Sequence, residues 1–154
     1  MLKIIFFITI SLTYTLKVVK ADDGMASSPS TTMIDLDREI MITMSECNET
    51  FRIEMAYMLA LNETGNFPDE TDKTPKCYLK CVMMKLAVMS EDGAFSAERA
   101  AQVLMSNVIG SPDDQMEDFA RACSDRKDAC KCERAYNFIK CIKGKSIAKY
   151  EKHS

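Results

Sequence analysis

Apolar side chains recur along this chain at steps of three and four residues and nowhere in the alternation of a strand, a rhythm that predicts helices throughout. Met33, Leu36, Ile40, Met44, Cys47 and Phe51 share one face of a first helix, with Thr32 and Asp35 at its start as a cap. Cys47 therefore points at the core. Ile53 to Leu61 continues as a short apolar helix that Asn62 and Gly65 can stop, followed by a polar connector from Asn66 to Lys73. Thr74-Pro75 places a capping hydroxyl before a proline at the first helical position and opens Lys76 to Met89, apolar nearly all round and read as the central buried helix. Gly93 marks a turn, and Ser96 caps Ala97 to Ile109, which Gly110 ends. Ser111-Pro112-Asp113-Asp114 repeats the cap-plus-proline signature and starts a helix running to about Asp128. The last helix begins near Cys132 and carries Tyr136, Ile139, Cys141 and Ile142 before polarity takes over from Lys145 to Ser154.

The 154 residues suit one domain. Ahead of the helices, Met1-Leu2-Lys3 and the mostly apolar run Ile4 to Leu16 have the layout of a secretory signal peptide, too short to span a bilayer as a helix. Val19-Lys20-Ala21 places the expected cut before Asp22, so residues 1–21 are read as the signal, 22–31 (DDGMASSPST) as a flexible arm and 32–154 as the helical domain. Losing Lys3, Lys17 and Lys20 and no acid would take the net charge from −3 to −6. Such acidity disfavours nucleic-acid binding and adhesion to anionic membranes, and membrane insertion is not expected.

Secretion puts the cysteines in an oxidising compartment. Six of the seven, Cys47, Cys77, Cys81, Cys123, Cys132 and Cys141, read as one disulfide framework, and only Cys130 stands outside it. Cys77 and Cys81 are four apart on one helix and face two different partners, because pairing with each other would break that helix. Spacing alone leaves the connectivity of six cysteines open among fifteen patterns.

The CYLKC pair at 77–81, the long gap to Cys123 and CERAYNFIKC at 132–141 resemble the insect odorant-binding proteins, the six-cysteine pheromone and general odorant-binding group, over residues 33 to 143. The resemblance implies an all-α fold of six helices, stapled by disulfides around an apolar cavity, with bridges Cys47–Cys81, Cys77–Cys132 and Cys123–Cys141. It leaves Cys130 as a free cysteine, either a partly buried thiol or the link of a covalent dimer, so that monomer and dimer both stay open. It further implies carriage of a small hydrophobic ligand, an odorant or pheromone, through aqueous lymph to an olfactory receptor, with no metal, no cofactor and no catalysis. The alternative is a secreted gland, venom or salivary protein that binds another protein or sequesters a non-odorant lipid.

Unbranched methionines can repack around ligands of differing shape, and this chain has 12 of them. On the family's account the expected cavity lining is Met55, Met58, Leu59, Met83, Met84, Leu86, Met89, Phe95, Val103, Leu104, Phe119, Tyr136, Phe138 and Ile142. Tyr57, Tyr78 and Tyr136 are the candidate polar handles. An enzyme is not expected, since the only histidine, His153, lies beside the terminus and leaves serine, cysteine or aspartate nucleophiles without a histidine base. For the same reason no histidine-driven release switch is expected. Asn48-Glu49-Thr50 and Asn62-Glu63-Thr64 match the N-glycosylation sequon.

Overall fold

A computed structural model describes residues 29–106 and 114–152, within which six helices and no strands occur. They are α1 (Pro29–Phe51), α2 (Met55–Thr64), α3 (Lys73–Lys85), α4 (Ala97–Leu104), α5 (Met116–Cys123) and α6 (Lys131–Glu151). The expected signal segment, residues 22–28 of the arm, the Ser111-Pro112 cap and His153 lie outside the described residues.

The first helix starts at Pro29, so residues 29–31 are helical and Thr32 sits inside the helix instead of at its cap. Its inward face carries fully buried Ile40 and Cys47, but Met33 at the outer end is 37% exposed. The chain leaves α1 through Arg52, which takes a positive φ of 49°. There the Asn48 carbonyl accepts from the Arg52 N–H at 2.8 Å and the Asn48 side chain from the Ile53 N–H at 2.9 Å. Ile53 is thus part of the break, not of the next helix. At the far end α2 runs through Asn62 to Thr64, and left-handed Gly65 (φ 76°) closes it by donating to the Leu61 carbonyl.

Asp72, not Thr74, caps α3: its carboxylate accepts from the Thr74 N–H at 2.8 Å. Pro75 consequently occupies the third helical position, still within the first turn, where a missing N–H costs no helical bond. The helix ends at Lys85, four residues before Met89, with Ala87 in the left-handed region (φ 57°) and the N–H groups of Val88 and Met89 both donating to the Met83 carbonyl. Alanine there bears a strain that glycine would avoid. Met89 and Phe95 then pair as an isolated antiparallel bridge around a turn containing Gly93 (φ 90°). A Cβ at Gly93 would lie 2.5 Å from the Arg134 guanidinium, which donates to the Gly93 carbonyl at 3.4 Å. This turn is closed against α6.

Ser96 caps α4 by accepting from the Arg99 N–H at 3.2 Å, and the helix stops at Leu104 instead of Ile109. In the same way α5 ends at Cys123 instead of Asp128. The last helix carries its turns past the polar switch at Lys145 as far as Glu151.

Disulfides join Cys47 to Cys81, Cys77 to Cys132 and Cys123 to Cys141. They tie α3 to α1 on one side and to α6 on the other, and α5 to α6. Beside the α3–α6 bridge, buried Lys76 pairs with Glu133 at 2.8 Å and lies 5.1 Å from the Tyr136 ring. The core is built on Tyr136, Phe138 and Ile142 of α6, all 1% exposed or less, with Leu86 and Met89 after α3. No described helix is long and apolar enough to cross a membrane.

Candidate ligand cavity

Two staples hold α3 between α1 and α6, and beside it the core does not close. A cavity of about 200 Å³ remains. Met44 of α1, Met55, Met58, Leu59, Leu61 and Asn62 of α2, and Tyr78, Leu79, Val82 and Met83 of α3 contribute to its wall. Leu86 and Val88 follow from the turn after α3, Ala100, Val103 and Leu104 from α4, and Ile139 and Lys143 from α6. The surface is almost wholly hydrocarbon and thioether, so water gains few hydrogen bonds inside, while an apolar molecule gains contact. The exposed part of α2 is its open side: Met55 is 66% exposed and Leu59 56%, whereas Leu86 and Val88 after α3 are 2% or less.

Seven residues of the expected lining stand on this wall: Met55, Met58, Leu59, Met83, Leu86, Val103 and Leu104. The other seven do not. Met84, Met89 and Phe95 line a separate, more open cleft along the turn after α3. Phe138 is fully buried and stacked on Phe95 with centroids 4.0 Å apart, and Ile142 is fully buried in the same packed layer of α6. Phe119 is a half-buried α5 residue packed against the core. Tyr136 stacks on Phe67 at 4.5 Å, while its hydroxyl donates to Glu70 at 2.7 Å and accepts from the Phe67 N–H at 3.1 Å. That hydroxyl is committed to a loop, as is that of Tyr57, which donates to Asp72 at 3.2 Å.

Of the three candidate handles only Tyr78 reaches the cavity. Burial pushes its phenol upward. The wall also holds a polar pair that the apolar rhythm passed over, Lys143 donating to the Asn62 side chain at 2.6 Å. A signal for Lys143 existed: it stands one helical turn after Ile139. Asn48 and Asn62 are both exposed.

Tyr136 has a consequence for stability in alkali. Burial, with Glu70 adding to it, pushes its phenol up to about 12, against about 10 in an unfolded chain. The folded state therefore keeps a proton that the unfolded state loses, so this contribution is complete below about pH 10 and is lost as pH rises toward about 12. Urea midpoints taken from pH 9 to 11.5 are expected to fall with rising pH, and Tyr136→Phe to make that fall shallower; an unchanged slope in the variant would contradict the assignment.

Cys130 is free and exposed, and it occupies the N-cap position of α6. The backbone N–H groups of Glu133 and Cys132 draw its thiol below the usual cysteine range. A partly buried thiol is thus corrected to an open one. Among the described residues no group of three or more histidine, cysteine or acidic side chains is placed to hold a metal.

Six helices, three cross-links and an apolar void open along one helix define a disulfide-stapled helical binding protein. The PBP/GOBP family model matches residues 30–145, and the chain belongs to that family, the insect pheromone-binding and general odorant-binding proteins, which are binding proteins and not enzymes. It is similar to general odorant-binding protein 84a of Drosophila melanogaster, at 29% identity over 97 residues, which cover 62% of this chain and 51% of the relative. The chain thus spans about half the length of that relative. The fold is also similar to the crystal structure of the Locusta migratoria odorant-binding protein lmigOBP1. There the TM-score is 0.55 at 21% identity, covering 75% of this chain and 84% of the locust chain.

Proposed function

We propose that this protein is a secreted carrier that holds small hydrophobic odorant or pheromone molecules in the cavity beside α3 and moves them through aqueous lymph to chemoreceptors. The observation that carries the reading is a mostly apolar cavity, reachable past Met55 and Leu59, in a member of an odorant-binding family. Methionines at the wall, Met44, Met55, Met58 and Met83, suit ligands of varied outline. Tyr78 offers one neutral hydrogen bond to an alcohol, aldehyde or ester.

Burial of about ten methylene equivalents at about 0.8 kcal/mol each gives roughly 8 kcal/mol before the cost of association. A Kd of 1 μM needs about 8.2 kcal/mol net, so a ten-carbon ligand binds no tighter than the micromolar range, and more weakly once that cost is taken. A fluorescent apolar probe is expected to brighten on mixing with the mature protein and to be displaced by medium-chain alcohols, aldehydes or esters at micromolar or higher concentration. Failure of every such probe to enter the protein would sink the carrier reading.

A further inference from the structure

The cavity wall has one ionised group and no counter-charge. Seventeen residues line it; among them Lys143 is the only one charged at neutral pH, and there is no aspartate or glutamate. The described partner of its ammonium is a neutral atom, the Asn62 side-chain oxygen at 2.6 Å, which occupies one of three N–H donors. Two other lysines on α6 have acidic partners: Lys140 pairs with Glu70 at 2.5 Å and Lys149 with Asp114 at 3.2 Å. An ammonium half-withdrawn from water with no acid beside it is an incomplete pair. Burial alone already holds the Lys143 ammonium below the usual lysine range, the direction expected where no carboxylate opposes the loss of water.

We infer that the cavity is built for an amphiphile with an anionic end, a medium-chain carboxylate whose head group takes the free donors of Lys143 while its chain lies along Leu79, Val82 and Val103. This rests on the carrier reading and narrows its ligand class. A carboxylate supplies what the wall lacks, an acceptor of full negative charge, and so adds ion–ion attraction to the charge-assisted hydrogen bond that an alcohol oxygen would also accept from the ammonium. The competing role for Lys143 is structural, tying α6 to the last turn of α2, where a helix C-terminus favours a cation. The two roles differ in what they predict for ligands of equal length.

Decanoate and decanol, competed at neutral pH against a fluorescent naphthylamine probe in the mature full-length protein, separate them. Decanoate is expected to bind about tenfold tighter than decanol, a difference of about 1.4 kcal/mol. Lys143→Met should erase that preference by weakening decanoate while sparing decanol, and Lys143→Arg should keep it. Equal affinities in the unaltered protein would overturn the inference, as would a preference that survives in Lys143→Met. Should Lys143→Met fail to fold, salt decides in the unaltered protein: the preference must shrink as ionic strength rises, and one that ignores salt rejects the ion pair. If neither decanoate nor decanol displaces the probe and the probe itself does not enter, the carrier reading falls and this inference with it.

Discussion

Replacing Ala100 by phenylalanine is expected to weaken the binding of medium-chain ligands by about a hundredfold or more while leaving the helices in place. Ala100 is 1% exposed and stands on the cavity wall in α4, a wall whose one aromatic residue is Tyr78. A phenyl ring added there takes space that the ligand chain would otherwise fill. Excluding only four methylene groups, at about 0.8 kcal/mol each, removes roughly 3 kcal/mol of binding, which is about two powers of ten. A substitution of this kind in a filled core overpacks it and costs about 1–3 kcal/mol. In a void the ring should find room, so far-ultraviolet circular dichroism and the melting temperature are expected to stay close to those of the parent. Unchanged probe affinity in a folded Ala100→Phe protein would move the binding site elsewhere, with the open cleft beside Met84, Met89 and Phe95 the next place to look.

Removing the bridge between α3 and α6 with the pair Cys77→Ala and Cys132→Ala is expected to cost about 4 kcal/mol of folding free energy. This cross-link spans 55 residues, the longest closed segment of the three, and so restricts the unfolded chain most. A domain of this size is typically stable by only about 5–15 kcal/mol, which makes the loss a large fraction of the whole. Both cysteines must go together: Cys132→Ala alone would leave the Cys77 thiol near the α6 start, where Cys130 is exposed and free. Urea unfolding monitored by circular dichroism measures the change, and a loss under about 1 kcal/mol would mean that α3 and α6 hold together by packing alone. The cavity should suffer as well, since its wall draws on α3 at Tyr78, Leu79, Val82 and Met83 and on α6 at Ile139 and Lys143.

Much of this architecture is legible along the chain because its causes are local. The three- and four-residue apolar steps that mark α1 are a property of the helix itself, and so are the Ser96 cap of α4 and the left-handed Gly65 that closes α2. Boundaries were less legible where the stop signal was missing or was supplied from elsewhere. Nothing in Leu86-Ala87-Val88 announces the end of α3, because the left-handed position is held by alanine and the turn after it is braced by Arg134 from α6. Likewise Asp72 takes the capping role that Thr74 appeared placed to play from the chain alone.

Burial and cavity are different properties, and the expected lining divides along that line. Phe138 and Ile142 are as deeply buried as any wall residue, yet each meets packed neighbours and not the void. On α6 the periodicity sends both Phe138 with Ile142 and Ile139 with Lys143 inward, and nothing in that pattern distinguishes the pair that meets atoms from the pair that meets space. Lys143 was hidden for the opposite reason, being a charged residue at the edge of a polar stretch. Sequence by itself determined the all-α class, the order of the helices and the family, since periodicity, capping and cysteine spacing are written within or between short segments. Only the tertiary structure decided where the core is left unfilled and that a lone ammonium borders the gap, because a void is set by the distances between helices and belongs to no single one of them.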